Sequence, residues 1–211
     1  MSATLYYVHD PMCSWCWAFK PTWAKIKSGL PDSILTQRLL GGLAADNHDK
    51  MPDELQHFLQ QTWVKIMQVV PGTQFNFDFW RLCEPRRSTW PACRAVIAAR
   101  QLDAGLEEAM IETIQKAYYL NAENPSDDNT LIKLAVQIGL DESEFAQRLH
   151  CPETQRALVN EIQQAAALGA EGFPSLILEE SGMRQRIAYD YNDAGVVLEN
   201  PLILRAGNLR I

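Results

Sequence analysis

No stretch of this 211-residue chain approaches the ~20 consecutive apolar residues that a membrane-spanning helix requires. Runs of lysine and arginine are equally scarce. With a net charge of −7 and only the short Arg81 and Arg86-Arg87 group to set against it, a nucleic-acid partner is not expected, and that group reads as a solvated face rather than a phosphate site. No basic leader and apolar core precede the first strand-like residues, which points to the cytoplasm, although an exported form with its leader removed would read the same way. The four histidines, His9, His48, His57 and His150, lack ligand spacing, and no second CxxC or HxxxH accompanies the cysteine pair at 13–16. No metal site is therefore expected. Five cysteines, an odd number, in a chain that is 47% apolar do not form the disulfide framework of a small secreted domain. Internal repeats and low-complexity tracts are absent.

What remains is an ordinary globular composition of one or two domains, 21% charged, with one concentrated chemical feature. Cys13-Ser14-Trp15-Cys16 follows the apolar run Thr4 to Val8 and the turn Asp10-Pro11, at the head of a helix carrying Trp17, Trp23 and Ile26. Unpaired N–H groups and the positive end of a helix dipole converge there, and thiols so placed ionise well below the free value of about 8.5. Cys13 is the expected nucleophile. Cys16, about one turn deeper, is the expected resolving thiol, able to close a disulfide ring with Cys13 or release a mixed disulfide. Asp10 is either a proton relay to Cys16 or a turn residue before Pro11; His9 is a weaker candidate for the same relay. Cys93 reads as a buried thiol on an apolar helix face, and Cys83 and Cys151 have no evident partner. Trp17, Phe19, Trp23, Trp63 and Trp90 read as core or cleft wall.

The pattern around this feature divides the chain. The first forty residues read strand, helix, strand, with a kink expected at Pro21 and a second strand over Ile34 to Leu40. From 45 to 169 the text is helical: Asp53 starts a helix with Leu55, Phe58 and Leu59 on one face, Pro91 starts another lined by Ala92, Ala95, Val96 and Ala99, and Asp141-Glu142-Ser143-Glu144 has capping-box spacing. Further helices carry Leu106 to Ala117, Leu131 to Ile138 and Leu158 to Ala166. After Gly172 the strand pattern returns over Ser175 to Leu178, with Arg184 to Ala188 as its antiparallel partner. The tail from 189 to 211 reads as strand or helix. The expected organisation is α/β, with residues 1–44 and 170–211 forming one discontinuous domain and 45–169 an inserted helical one.

The CxxC at a strand–helix junction, the helical middle and the late Gly172-Phe173-Pro174-Ser175 together resemble the DsbA-like branch of the thioredoxin superfamily. Asp10-Pro11-Met12-Cys13-Ser14-Trp15-Cys16, Ala117-Tyr118-Tyr119 and Gly139-Leu140-Asp141 look closest to its FrnE-like dithiol oxidoreductases. The resemblance implies a thioredoxin-like fold interrupted by an all-helical insertion. It also implies a cis Pro174 facing the CxxC, with Phe173 pairing to an extended substrate segment; Trp15, in a dipeptide that departs from the best-known members, reads as a substrate-facing apolar lip. The implied activity is disulfide oxidase, reductase or isomerase chemistry on protein or peptide thiols and disulfides, with no cofactor except glutathione as a redox partner. Two rivals stand beside it: a kappa-class glutathione transferase or isomerase, whose members carry serine at the first cysteine position, and a chaperone-like polypeptide-binding module.

Overall fold

The computed structural model of the protein describes residues 3–207. Its frame is a four-stranded sheet in the order β2-β1-β3-β4. The strands are β1 (Ala3–His9), β2 (Ile34–Leu40), β3 (Ser175–Glu180) and β4 (Met183–Ile187). β1 and β2 run parallel, which requires a crossover, and α1 (Ser14–Gly29) supplies it. β3 pairs antiparallel with β1 on one side and β4 on the other, the latter across a turn in which Ser181 and Gly182 both have positive φ. A chain that leaves β2 at Leu40 and returns at Ser175 thus completes the sheet that the first strand began.

The period-two alternation of β1 decides what covers each face of the sheet. Ala3, Leu5 and Tyr7 point toward α1 and pack with Phe19, Trp23 and Ile26, joined by Val197, Ile203 and Ala206. These last residues come from α9 (Gly195–Leu198) and α10 (Pro201–Gly207), so the two ambiguous tail segments are both helical. Their apolar side chains are needed at helical spacing to cap a sheet face. Residues 208–211 lie outside the described residues. Val8 points to the opposite face, where Leu39 and Ile177 meet Ala165 and Leu168 at the end of α8 (Pro152–Ala167). α1 runs without interruption through Pro21, whose missing N–H falls within the second turn.

The second core is built mainly by helices, with Met12 and Leu40 joining it from the turn before Cys13 and the end of β2. It comprises α2 (Asp53–Val69), α3 (Phe79–Leu82), α4 (Trp90–Leu102), α5 (Glu107–Tyr119), α6 (Asp128–Gln137), α7 (Glu142–Leu149) and α8. α4 is its axis: Pro91, Ala92, Cys93 and every residue from Ala95 to Ala99 are buried, and small side chains let neighbouring helices approach from several sides. Around it lie Trp63, Phe79, Met110, Ile114, Tyr119, Leu131, Phe145 and Leu158. Asp141 caps α7, its carboxylate accepting the Glu144 N–H at 2.9 Å as the spacing predicts. In α2 the apolar face at Leu55, Phe58 and Leu59 is not the buried one. Trp63 and Ile66 form its buried stripe, whereas Phe58 is 61% exposed and Leu55 and Leu59 are half-buried, because that flank faces an open cleft rather than another helix.

Sheet and helical core are tied at Glu161 of α8. Its carboxylate accepts the Leu40 N–H at 2.8 Å at the end of β2 and pairs with Arg100 of α4, which also binds Glu107 at 2.9 Å. Glu161 is only 9% exposed, so its removal strands a buried amide and a partly buried guanidinium. Glu161→Ala should therefore cost about 2–4 kcal/mol in urea unfolding, against under ~1 kcal/mol for breaking the exposed Arg184–Glu179 pair. Equal small losses in both variants would show that Glu161 does not hold the two cores together.

Candidate active site

β1 ends at His9, and the turn Asp10-Pro11-Met12 delivers Cys13 to the N-cap of α1, with Cys13 N–H donating to the Asp10 carbonyl at 3.1 Å. The cap has no side-chain hydrogen bond, which leaves first-turn N–H groups facing the cysteine pair. Both cysteines are free thiols. Their surroundings differ. Cys13, 7% exposed, lines a cleft of about 240 Å³ together with Met12, Trp15, Leu43, Phe58, Trp63, Tyr118 and Phe173. Cys16, 1% exposed, lines a separate small cavity of about 60 Å³ on the other side of the helix start.

Phe173-Pro174 is a cis peptide, and the Cys13 thiol donates to the Phe173 carbonyl at 3.5 Å across 160 residues of sequence. Two glycines make this approach possible. A Cβ at Gly41 would stand 1.9 Å from the Phe173 ring, and one at Gly42, where φ is +60, would stand 2.4 Å from Ile162. A side chain at Gly41 would thus push Phe173 away from Cys13, while one at Gly42 would collide with α8. Behind the proline, the Tyr189 hydroxyl donates to the Pro174 carbonyl at 2.9 Å. Trp15 packs against Tyr191, ring centroids 4.9 Å apart, and forms part of the cleft wall.

Asp10 is fully buried, and its carboxylate is surrounded by donors. Met12 N–H reaches Oδ1 at 2.8 Å, while Oδ2 accepts from Leu43 N–H at 2.8 Å, the Thr89 hydroxyl at 2.7 Å and the Cys93 thiol at 3.5 Å. Burial raises its pKa, and these bonds act against the rise. Burial pushes the Cys16 thiol well up, and the neighbouring Cys13 pushes it further. Asp10 acts on Cys16 in two opposed ways, its carboxylate charge raising the thiol pKa and its backbone lowering it. Cys16 holds its proton until chemistry removes it.

His9 lies behind this pair, buried and stacked on Tyr7 with ring centroids 5.1 Å apart. Its Nε2 has no partner, nor has Gln115 Oε1, and both residues line the small cavity with Cys16. Of the remaining cysteines, Cys93 is the buried thiol expected of it; Cys83 bonds the Ala122 carbonyl at 3.1 Å, and Cys151 sits against Glu153. Phe19, Trp23 and Trp63 are buried core, while Trp17 and Trp90 are partly buried against the helical one. The cluster read as a solvated basic face is divided. Arg81 pairs with Asp78 and Arg86 with Asp127, but Arg87 lines the Cys13 cleft. Arg87, Thr89 and Gln115 were invisible as site residues in the sequence, because no local motif marks them, and Tyr118 was marked only as part of the Ala117-Tyr118-Tyr119 resemblance, with no role attached.

A thioredoxin-like sheet interrupted by helices, with a CxxC facing a cis-proline, defines the thiol-disulfide oxidoreductases of the DsbA-like kind. A match to the DSBA-like thioredoxin domain covers residues 4–188, and the chain belongs to that family. It is similar to the cytosolic disulfide reductase DsbM of Pseudomonas aeruginosa, at 27% identity and a TM-score of 0.72 over 96% of this chain and 95% of that one. A Nitrosomonas europaea protein provisionally assigned as a protein disulfide isomerase superposes with a TM-score of 0.81 at 25% identity, covering 97% and 99% of the two chains. Among curated proteins it is 24% identical to the ClpXP adapter protein SpxH of Bacillus subtilis over 89% of its own length, but spans only 64% of that relative. No described helix is long and apolar enough to cross a membrane, and no described cluster of ligand-type side chains would hold a metal ion.

Burial lowers the His9 pKa to about 3, helped by the charges of Arg38 and Arg100; Lys20, Glu108, Glu112, Tyr7 and Cys16 line the same cavity. Against an unfolded value of about 6.5, the folded state binds this proton more weakly. The stability contributed by neutral His9 is therefore complete above pH ~6.5 and is lost as pH falls toward 3, by about 1.4 kcal/mol per pH unit. His9→Gln should flatten the slope of unfolding free energy between pH 6 and 4 by nearly one proton. Identical slopes in the two proteins would place the histidine outside the buried, neutral state described.

Proposed function

We propose that this protein is a dithiol-disulfide oxidoreductase that reduces small disulfides, and the peptides that carry them, at the expense of glutathione. The observation that carries this reading is the separation of the two sulfurs: Cys13 opens on the substrate cleft beside the Phe173 carbonyl, while Cys16 is sealed behind it. Cys13 attacks one sulfur of a bound disulfide, forming a mixed disulfide and releasing the other half as a thiolate. Cys16 then attacks Cys13, frees the second half and leaves the Cys13–Cys16 disulfide, which two glutathione thiols reduce again. The Phe173 carbonyl and the cleft wall align the incoming chain, so the displacement starts from an ordered complex. Cys16 must lose its proton during the second step. The rear cavity, large enough for a water molecule, offers His9 Nε2 and Gln115 Oε1 as its unused polar partners and leads toward Glu108 and Glu112. Asp10 acts as the anchor of this arrangement rather than as the relay.

The cytosolic assignment and the glutathione complex described for DsbM of Pseudomonas aeruginosa support a reducing, cytoplasmic role. Serine at the first position would have favoured transferase chemistry; Cys13 with Cys16 favours exchange. A second reading is kept by the SpxH relatives, which are ClpXP adapters, and by the exposed Phe58 at the cleft: a module that holds a polypeptide without redox turnover.

Cys16→Ser separates the two. It leaves the attacking sulfur and removes the resolving one, so dithiothreitol-sensitive adducts with glutathione disulfide should accumulate on Cys13, with turnover lost by at least a hundredfold. The Cys13→Ser and Cys16→Ser double variant should form none. Adducts that form equally well without Cys13 would overturn the division of labour, and peptide holding that survives loss of both cysteines in a protein with no turnover would favour the adapter reading.

A further inference from the structure

The cleft in front of Cys13 is walled mainly by apolar side chains, with Ser14 and Thr62 as neutral polar ones. Arg87, in the loop preceding α4, is the single charged residue along it, and it stands half-exposed. It lines the cleft together with the buried Tyr118, whose hydroxyl feels its charge. No carboxylate among the described residues pairs with it. The contrast with neighbouring arginines is informative: Arg86 is held by Asp127, Arg94 by Asp46 at 2.8 Å, and Arg100 by Glu107 and Glu161. In a chain of net charge −7, carboxylates are plentiful, yet none is placed against this one cation. An unpaired guanidinium on an apolar wall, where water competes less, is a strong site for an incoming carboxylate, which it can bind through two parallel hydrogen bonds.

We infer that Arg87 makes the Cys13 cleft selective for disulfides bearing a carboxylate close to the reacting sulfur, the glutathione type of small anionic thiol, over neutral or cationic ones. The inference rests on the oxidoreductase reading and adds a substrate class to it. The cleft volume of about 240 Å³ agrees, lying just below the roughly 300–1,000 Å³ of ordinary small-molecule sites and suiting part of a short peptide rather than a folded partner. Chemically, the reduced Cys13–Cys16 pair loses two electrons to the disulfide. The disulfide is cleaved to two thiols, one leaving on attack by Cys13 and the other on attack by Cys16, and the two protein thiol protons balance the two product thiolates. The guanidinium both docks the substrate carboxylate and favours the thiolate charge as it develops at the leaving sulfur.

The test follows the oxidation of the reduced, full-length protein by three probes: glutathione disulfide, neutral bis(2-hydroxyethyl) disulfide and cationic cystamine. The readout is the ratio of second-order rate constants, not any one rate. In the wild type the ratio of glutathione disulfide to the neutral probe should exceed that of cystamine to the neutral probe, and should shrink as salt is raised. Arg87→Gln should lower the glutathione ratio about tenfold, equivalent to about 1.4 kcal/mol of differential binding, with partial recovery in Arg87→Lys. Arg184→Gln, an exposed charge change on β4, should leave the ratio where it was. A ratio untouched by Arg87→Gln overturns the selectivity while leaving the oxidoreductase intact. A wild type that reacts with none of the three probes overturns both.

Discussion

The buried carboxylate of Asp10 is the point on which the site's geometry depends. A charge with no solvent contact is tolerated only where donors replace water, and here they arrive from three places in the chain: Met12 beside it, Leu43 after β2, and Thr89 and Cys93 at the start of α4. One side chain therefore fixes the turn that presents Cys13, the loop that receives Phe173, and the helix at the centre of the insertion. The helical segment is bonded directly underneath the CxxC and does not merely hang from the sheet. Its position fixes the far wall of the cleft, since Trp63 of α2 and Tyr118 of α5 pack in the core that α4 organises.

From that anchor follows the unequal treatment of two cysteines only three residues apart. Helix geometry turns Cys16 inward beneath β1, where burial and the proximity of Cys13 both oppose its ionisation. Cys13, at the N-cap, keeps the open side and the carbonyl of Phe173. The proposed order of attack rests on this difference between an outer sulfur that is available and an inner one that is withheld. The order comes from solvation and position, and the intervening Ser14 and Trp15 need contribute only to the cleft wall.

The sequence was most legible where causes are local. The CxxC after an apolar run, the acidic cap at Asp141 and the Ser175 hairpin each follow from residues within a few positions of one another. The closing of Phe173-Pro174 onto Cys13 was legible only through family resemblance, because no periodicity links positions 160 residues apart. Asp10 was read as relay or turn residue because its real partners, 33, 79 and 83 residues away for Leu43, Thr89 and Cys93, leave no trace in its neighbourhood. Phe58 was placed on one helix face with Leu55 and Leu59 by spacing alone, and spacing cannot tell a face packed on another helix from one left over a cleft. Arg87 was grouped with Arg81 and Arg86 by adjacency, yet consecutive residues before a helix start point in different directions, one into an ion pair and the next into the cleft.

The same geometry bears on why this fold serves both reductases and adapters. The residues proposed to recognise a substrate line the rim of the cleft: Phe58 of α2, Tyr118, Arg87 and the Phe173 backbone, with Trp63 packed behind them. The proposed electron transfer lies on two sulfurs whose positions are set from below by Asp10. Because the rim belongs mainly to the insertion and the sulfurs to the strand–helix junction, changes in one need not disturb the other. An adapter therefore requires only that the rim keep its grip after the sulfurs cease to turn over. A reductase requires instead that release follow each exchange, which a short, half-open cleft with one cationic contact permits and an extended apolar groove would impede.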